Sequence, residues 1–461
     1  FWEKAQGLSN LVKTHLDQTT SANNERVIHY NEPDRELEFW QRFLKEGKND
    51  HFFSEIIQHT NHTHHPRYMG HQVGAPAPLT VLTGLIGSLL NNGMAVYEMG
   101  MAPTAMERIV TDHLCHTIGW DATAGGFLTS GGTLANLTAL LAARKAAVSH
   151  DIWNKGYNEP LGILVSEAAH YCVERAAKIM GLGERGIIKV PVNATHAMDV
   201  SLVEEYHTKA QAAGITIFAV VGSAPSTATG SHDALEVLGD FARTHQLWFH
   251  VDGAHGGAAI LSKKYKSLLQ GIHKADSVVI DGHKMMLMPT ITTALLFRDV
   301  RTSHTTFSQT ADYLLTEEQD WYNGGKRTFE CTKTMMSLHW YALLKWYGDT
   351  LFETFLDRQY DLARTFAQHI QEHPHFELAV PPESNIVCFR HVPKGMGTAE
   401  LNAHNLAVRQ AILEQGTFYI VQTKLNGKWY LRTTLMNPFT EVAHVQELLG
   451  HIGTLAQTIS R

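Results

Sequence analysis

The stretch Asp276-Ser-Val-Val-Ile-Asp-Gly-His-Lys-Met-Met-Leu-Met288 joins a β-rich apolar run to a short turn and a lysine, Lys284. Residues 277–281 are typical of a buried strand, and apolar residues follow the lysine. Lysine is seldom buried without a partner, and apolar surroundings are expected to lower its pKa and favour the neutral amine that forms imines. Lys284 is therefore either an imine-forming amine or an ordinary surface lysine at a strand end.

Outward from this strand, short β-rich runs alternate with amphipathic stretches. This alternation predicts an α/β fold with a mostly parallel sheet between helices. A helix is predicted over residues 133–147, where leucines recur at helical spacing, and another from about Pro103 to Ile118. The predicted strands are residues 161–166, 187–192, 215–222, 247–252, 277–281 and 293–298.

A second composition begins near Leu338, where a long helical pattern leads to Pro374. A small α+β C-terminal domain is predicted from this point. The resulting organisation is an N-terminal helical segment, 1–65, a large domain, 66–337, and the small domain, 338–461. Within the small domain the predicted strands are residues 376–380, 386–390, 417–421 and 429–434, and the helices are residues 399–415 and those from 440 onward.

The composition is that of an ordinary globular protein, with 44% hydrophobic and 18% charged residues among 461. A formal charge of −7 gives no general attraction to nucleic acid or to an anionic membrane. No apolar run reaches the ~20 residues of a membrane-spanning helix. The four cysteines lie far apart without a CxxC pair, which predicts reduced thiols in a cytoplasmic protein.

A glycine-rich segment, Gly125-Gly-Phe-Leu-Thr-Ser-Gly-Gly-Thr133, directly precedes the helix predicted over residues 133–147. The N-terminus of a helix offers unpaired N–H groups, and glycine lets an anion approach the backbone closely. Ser130, Gly131, Gly132 and Thr133 are therefore candidates for a phosphate-binding turn. An ordinary capped helix start would look similar.

The strand at residues 247–252 ends on Asp252, which Gly253, Ala254 and His255 follow. Ligands of open α/β sheets bind at the carboxyl ends of strands, so Asp252 is a candidate ligand-binding acid, although a capping aspartate would fit this turn alone. Taken together, the phosphate turn, Asp252 and Lys284 supply an anion site, a carboxylate for a pyridine nitrogen and an amine for an aldehyde. These are the requirements of pyridoxal 5'-phosphate (PLP).

The order of these motifs resembles the PLP-dependent amino-acid decarboxylases of fold type I, which include glutamate, aromatic-amino-acid, cysteine-sulfinate and 2,4-diaminobutyrate decarboxylases. The resemblance runs from His65-Pro-Arg-Tyr to Glu330-Cys-Thr-Lys. It implies a PLP-dependent transferase fold with a mostly parallel seven-stranded sheet in the large domain. It also implies decarboxylation of an L-amino acid, with PLP as cofactor, by a homodimer whose subunits share active sites.

Carried over position by position, Lys284 resembles the lysine that binds PLP as a Schiff base, and Asp252 the acid that pairs with the pyridine nitrogen. His170 resembles the histidine that stacks on the pyridine ring of PLP and takes part in catalysis. A structural histidine in the core, just after a strand, would give the same sequence pattern. Asp281 stands where many relatives have asparagine, next to the phosphate, so its role is open. The other residues that the resemblance assigns to the cofactor are Ser130, Gly131, Gly132, Thr133, Thr227, Ala254 and His283.

Arg432 resembles an arginine that meets a substrate carboxylate, and His71 and Gln72 fall where relatives line the side-chain pocket. Residues 316–325 match a loop that often covers the neighbouring subunit's site. Within this loop Tyr322 matches a catalytic tyrosine that helps to protonate the product. Tyrosine rather than phenylalanine at this position favours plain decarboxylation over the oxygen-consuming reaction of PLP aldehyde synthases.

The substrate stays open at this point. Arg432 favours an acidic amino acid, but His71 and Gln72 are also compatible with an aromatic or basic one such as tyrosine or 2,4-diaminobutyrate. The alternatives are an aldehyde synthase and a catalytically idle PLP-binding scaffold. A metal site at the crowded histidines is not expected, because no cysteine or acid is spaced to complete one. These histidines are His59, His62, His64 and His65.

Overall fold

A computed structural model describes residues 2–23, 25–307 and 321–459. The chain forms two compact units. The large unit is Pro76–Arg358, and the small unit combines Phe1–Ala75 with Gln359–Arg461. The domain boundaries predicted after residues 65 and 337 stay predictions.

α-Helices occur in both units. In chain order they are α1 (Trp2–Thr20), α2 (Pro33–Glu46), α3 (Phe52–Gln58), α4 (Leu79–Leu90), α5 (Met101–Ile118), α6 (Gly132–Ala147), α7 (Ile152–Lys155), α8 (Tyr171–Ile179), α9 (Val203–Ala212), α10 (Leu235–His245), α11 (Arg301–Thr306), α12 (Ser337–Tyr347), α13 (Asp349–Glu372), α14 (Thr398–Gln415) and α15 (Val442–Ile459). Among the described residues, no helix combines the length and the apolar character needed to cross a membrane.

The strands form one sheet in each unit. Those of the large unit are β1 (Gly125–Thr129), β2 (Leu161–Ser166), β3 (Ile187–Val190), β4 (Thr216–Ser223), β5 (Trp248–Asp252), β6 (Ser277–Asp281) and β7 (Thr293–Phe297). Those of the small unit are β8 (Phe376–Leu378), β9 (Ile386–His391), β10 (Val421–Leu425) and β11 (Lys428–Thr434).

The seven-stranded sheet has the order β1-β7-β6-β5-β4-β2-β3. Its strands are parallel except β7, which runs antiparallel to both neighbours, so the predicted mostly parallel α/β sheet is confirmed. Central strands such as β4 and β6 are buried on both faces, as their continuous apolar runs require. The segments after β1, β2, β4, β5 and β6 meet at one edge, because parallel strands end on the same side.

The six strands predicted for the middle of the chain are all present, with ends shifted by at most two residues. β1 was not predicted, because its glycines read as a turn, yet all five of its residues are buried. The single helical pattern from Leu338 to Pro374 is two helices, α12 and α13, separated by Gly348 at a positive φ of 64°.

The small unit has an antiparallel sheet in the order β10-β11-β9-β8. Its core packs the helices against this sheet through large apolar side chains, including Phe366, Phe389, Phe418 and Leu431. The prediction of a strand at residues 417–421 was wrong, since the strand begins only at Val421 and pairs with β11 up to Leu425. The predicted α+β character of this region is confirmed.

Candidate active site

One edge of the large sheet brings the predicted site residues together. α6 begins two residues after β1, while Asp252 is the last residue of β5 and lies beside Val279 of β6. Lys284 follows β6 after a turn of two residues. His170 comes shortly after β2, at the start of α8. The carboxyl ends of parallel strands therefore place these groups at one rim of the sheet.

A cavity of about 290 Å³ opens at this rim. Its size is close to the lower end of the ~300–1,000 Å³ usual for small-molecule sites. Every residue that the sequence assigned to the cofactor lines it, from Ser130 of the glycine-rich turn to Lys284. Five further lining residues were not predicted: Asn136, Cys172, Pro225, His255 and Ile291.

Lys284 forms an ion pair, with Nζ 2.9 Å from Oδ2 of Asp281. Burial lowers the pKa of Lys284, but the charge and hydrogen bond of Asp281, with a contribution from Asp252, outweigh burial and raise the pKa above its ordinary value. The expectation of a lowered pKa was therefore wrong. The sequence showed the apolar neighbours of Lys284. It did not show that the turn after β6 places the lysine beside the carboxylate of Asp281.

Asp281 is almost fully buried and is held from several sides. Its Oδ1 accepts a hydrogen bond of 2.6 Å from Oγ1 of Thr293, and its Oδ2 lies 3.7 Å from Nε2 of His283. A Cβ on Gly132 would lie 3.1 and 3.2 Å from the two carboxylate oxygens, so a side chain there would crowd Asp281, and glycine suits this close approach of the first turn of α6. The N–H groups of that turn favour negative charge, which offsets the cost of burying the acid.

Asp252 is 8% exposed, and its Oδ1 accepts a hydrogen bond of 3.2 Å from the backbone N–H of Ala254. The main chain thus holds this carboxylate at the cavity wall. Its charge acts on Lys284 and on His170, whose pKa values it raises in part. A carboxylate in this position suits a cationic ring nitrogen.

His170 occupies the N-cap of α8, where Nδ1 accepts a hydrogen bond of 3.3 Å from the backbone N–H of Cys172. Burial lowers the pKa of His170 and the charge of Lys284 lowers it further, although Asp252 acts in the opposite direction. The ring is therefore neutral near pH 7. Because Nδ1 accepts, the proton of the neutral ring lies on Nε2.

Asn136 and His250 support the cavity from behind. Nδ2 of Asn136 donates to the carbonyl of Gly132, so its Oδ1 accepts from Nε2 of His250 at 2.7 Å. Nδ1 of His250 then accepts from Oγ of Ser277 at 2.8 Å. This chain ties α6, β5 and β6 together. The alternation of β5 puts His250 on the same side as Asp252, a signal present in the sequence.

Tyr322 does not line the cavity in its own chain. It lies with Trp321 at a separate small cavity, and its ring is 5.6 Å from that of Tyr97 in an edge-to-face arrangement. Residues 316–320 of the predicted active-site loop lie outside the described residues. The catalytic role of Tyr322 stays a prediction.

The residues predicted to contact the substrate lie in the small unit. Arg432, on β11, is 5% exposed, and burial lowers its pKa. Burial also lowers the pKa of His71, followed by the charges of Arg432 and Arg409. Gln72 is half-buried beside His71. This part of the small unit is therefore positively charged.

The histidines that crowd residues 59–65 make ordinary structural contacts. Nδ1 of His59 lies 2.8 Å from Oε1 of Glu36, and Nε2 of His62 lies 3.0 Å from the carbonyl of Ile57. Nδ1 of His65 accepts from the backbone N–H of Arg67.

A helix start suited to an anion, a buried carboxylate, a neutral imidazole and a lysine amine surround the cavity of the large unit. The helix start approaches Asp281 closely at Gly132. Because glycine has no side chain, the backbone N–H groups of this turn stay accessible to a ligand's anionic group. These residues fit PLP. The fold and the cavity define a PLP-dependent enzyme of fold type I.

The sequence profile of the pyridoxal-dependent decarboxylase conserved domain matches residues 47–392, and the chain belongs to this family. It is a PLP-dependent amino-acid decarboxylase, a carboxy-lyase.

Relatives of the chain differ in the substrates that their names give. An L-aspartate decarboxylase of Metarhizium robertsii is 29% identical over 405 residues, with 85% of this chain and 80% of the relative covered. An aromatic-L-amino-acid decarboxylase of Bacillus atrophaeus is 26% identical over 415 residues, with 89% and 85% covered. The solved structure of mouse CSAD in apo form superposes with a TM-score of 0.91 at 25% identity, covering 99% of each chain.

Proposed function

We propose that this protein removes the α-carboxylate of an acidic L-amino acid, of the aspartate and glutamate class, as CO2 and releases the amine, acting in the cytoplasm as a homodimer. The observation that carries the proposal is the convergence of Lys284, Asp252 and His170 on one cavity of the large unit. An amine, a carboxylate and an imidazole there can provide covalent attachment, charge compensation and proton transfer.

The residues of the cavity divide the tasks of holding the cofactor. Lys284 would hold PLP covalently through Nζ, Asp252 would keep the pyridine nitrogen protonated, and the start of α6 would hold the phosphate. His170 would lie against the ring and fix its plane. When bound, PLP supplies an electron sink for the negative charge left on the substrate as CO2 departs.

Two proton movements follow from the contacts. Lys284 is protonated in the ion pair, so its amine becomes a nucleophile only after losing a proton, and Oδ2 of Asp281 is an acceptor 2.9 Å away. The substrate carbon left without CO2 must gain a proton, which we assign to Nε2–H of His170. Tyr322 is the second candidate donor, acting from the neighbouring subunit.

The acidic substrate is supported by the charge of the small unit. Arg432 and Arg409 both act on His71, and a buried guanidinium is suited to bidentate binding of a carboxylate. The L-aspartate decarboxylase relative supports the same substrate class. An aromatic or basic side chain offers no carboxylate to a guanidinium group.

The test is a panel of amino acids assayed for CO2 release, with L-aspartate, L-glutamate, L-cysteine sulfinate, L-tyrosine and L-2,4-diaminobutyrate. We expect the highest kcat/KM for an acidic member. Arg432→Gln should lower kcat/KM for the acidic substrate by roughly 10- to 100-fold, which corresponds to the loss of a charge-assisted hydrogen bond. It should change kcat/KM for tyrosine little. Equal losses for all substrates would assign Arg432 to the α-carboxylate instead and remove this support.

Arg390→Gln is the matched control. Arg390 is equally buried in the same sheet, and it pairs with Glu377 at 2.8 Å. Its loss tests the effect of removing a buried arginine from the small unit without touching the proposed substrate contact. Fastest turnover of an aromatic or basic amino acid would overturn the acidic assignment.

The homodimer is supported by one face of α4. Six large apolar side chains lie exposed on this helix at a spacing that puts them on one side: Val81, Leu82, Leu85, Ile86, Leu89 and Leu90. The opposite side packs against α12, with Oγ1 of Thr83 2.7 Å from Nδ1 of His339. A contiguous apolar face of this kind marks an interaction surface, and we assign it to a second copy of the chain.

Analytical ultracentrifugation of Leu85→Glu tests this assignment. A charge in the centre of the face should convert the dimer to a monomer, because it would be buried unpaired in the interface. Val237→Glu, at an exposed valine of α10, is the control and should leave the dimer intact. A dimeric Leu85→Glu variant would contradict the assignment.

The cytoplasmic location is supported by the thiols. None of the four cysteines forms a disulfide bond in the described part of the chain, and three of them, Cys115, Cys172 and Cys388, are buried. Unpaired thiols are usual in a reducing compartment. Cell fractionation followed by the CO2 assay tests this location, and activity in a secreted fraction would contradict it.

A further inference from the structure

Two neighbouring helices of the large unit bring two imidazoles and a carboxylate together. Glu204 and His207 are three residues apart on α9 and therefore share a face, and His245 is the last residue of α10. One possible ligand atom from each, a ring nitrogen or a carboxylate oxygen, lies within 4.8 Å of the other two. This group was not considered from the sequence, because His245 lies 38 positions after His207.

The group has a buried side and an open side. His207 is 3% exposed, and within the described part of the chain its Nδ1 has no hydrogen-bond partner. The ring of His207 lies 4.4 Å from that of His245, whose Nε2 is 2.9 Å from Oε2 of Glu204. The Glu204 side chain is 64% exposed, so an ion could reach the group from solvent.

We propose that Glu204, His207 and His245 form a binding site for a divalent transition-metal ion of the Zn²⁺ type. Two imidazole nitrogens and a carboxylate oxygen are a ligand set that Zn²⁺ accepts, with water in the remaining position. Zinc–ligand bonds of ~2.0–2.2 Å require tetrahedral ligand atoms to lie roughly 3.3–3.6 Å apart. The present spacing of up to 4.8 Å thus needs only small side-chain movements.

The ligand chemistry selects against the hard cations. Mg²⁺ and Ca²⁺ favour oxygen ligands, and within this group of three residues only the Glu204 carboxylate provides oxygen atoms. Imidazole nitrogens suit Zn²⁺, Cu²⁺ and Ni²⁺.

The site is separate from the cofactor cavity. His245 precedes β5, whereas Asp252 ends that strand, and β5 spans about 13 Å at ~3.3 Å per residue. None of the three ligands lines the cavity. A bound ion would join α9 to α10 and so stabilise this side of the sheet rather than take part in decarboxylation.

The experiment is a calorimetric titration of ZnCl2 into the tag-free holoenzyme at pH 7.4, together with the melting temperature at each zinc concentration. We expect one saturable zinc site per chain and a higher Tm, with no corresponding effect of MgCl2. Glu204→Gln and His245→Gln should each weaken zinc binding at least 10-fold and remove the rise in Tm. Both positions are at least partly exposed, so these variants leave the buried His207 itself in place.

His113→Gln is the matched control, because Nε2 of His113 makes a comparable pair with Asp349 at 2.8 Å but belongs to no described group of three ligands. It should bind zinc as the parent does. The proposal is overturned if the parent shows no saturable site, or if Glu204→Gln and His245→Gln bind zinc with the parent's affinity. Neither result depends on catalytic activity, so a failure of the zinc proposal leaves the proposed decarboxylation untouched, and the reverse also holds.

Discussion

Two lysines of the large unit, one partly and one fully buried, make similar ion pairs in different surroundings. Nζ of Lys284 lies 2.9 Å from Asp281, and Nζ of Lys333 lies 2.8 Å from Oε1 of Glu107. The Lys284 side chain is 19% exposed and lines the cavity, whereas that of Lys333 is 2% exposed. Lys333 also donates to the carbonyl of Leu128 and lies over the ring of Phe127.

The comparison shows that burial and pairing do not identify a reactive lysine. Each amine has a carboxylate within hydrogen-bond distance, but Lys333 is enclosed by protein atoms, and only Lys284 faces a space that a ligand can enter. Accessibility from a cavity is thus what separates the amine that can react from the amine that holds the fold together.

The largest expected effect is the loss of the reactive amine. Lys284→Ala should lower turnover by roughly 10⁴- to 10⁶-fold, as when a catalytic nucleophile is removed. It should also lose the visible absorbance of covalently held PLP after gel filtration. CO2 release and the absorbance spectrum measure these effects, and a fully active Lys284→Ala protein would overturn the assignment.

The second expected effect is on stability rather than on chemistry. Lys333→Met should lower the free energy of unfolding by ~3–5 kcal/mol, because it leaves the Glu107 carboxylate buried without its partner. Urea unfolding of the holoenzyme measures this loss, and cofactor absorbance should persist. Lys333→Met combined with Glu107→Leu should recover much of the stability. If Lys333→Met lowers the free energy of unfolding by less than about 1 kcal/mol, the Lys333–Glu107 pair contributes no more than an exposed ion pair does. That result would contradict a structural role for Lys333.

A smaller effect is expected from the acid that pairs with Lys284. Asp281 raises the pKa of Lys284, so in Asp281→Asn this pKa falls and the neutral amine is present at lower pH. The pH dependence of PLP uptake by the apoprotein should therefore move to lower pH. Uptake rates of both proteins across the pH range measure the shift. An unchanged profile would mean that Asp281 does not control the charge of Lys284.

The smallest effect is expected from Cys172, which lines the same cavity. Burial raises the pKa of its thiol, so the thiol is neutral and unreactive at pH 7. Cys172→Ala should change kcat/KM by less than about threefold, and thiol reagents should not inactivate the parent at this pH. Rapid inactivation that Cys172→Ala prevents would show that cavity exposure also activates this thiol.

The sequence predicted the residues of the cavity better than their electrostatics. Each strand-end residue could be placed because apolar runs show where parallel strands end, and these ends meet at one rim. The sign of the pKa shift of Lys284 depends on how a two-residue turn folds back toward Asp281, which no pattern shows. The partner of Lys333 was equally hidden, because Glu107 lies 226 residues away in the chain.

For the fold as well, the sequence predicted the apolar strands better than the features that depend on packing. The central strands were predicted with nearly correct ends, whereas β1 was read as a turn because its two glycines lower its strand character. These glycines are explained only by packing: a Cβ on Gly126 would lie 2.3 Å from the carbonyl oxygen of Leu295. The division of the small unit between the two ends of the chain also has no signal in composition.

The close approach of Gly132 to Asp281 has a consequence for how the site responds to charge. An anion held by the first turn of α6 would lie against a carboxylate that is already paired with Lys284. A second negative charge beside this pair raises the pKa of the acid and of the lysine alike, so the anion favours a protonated pair. The anionic end of a ligand would therefore hold the proton on the pair, and the N–H groups at the start of α6, which offset part of that charge, set how readily the amine becomes free to react.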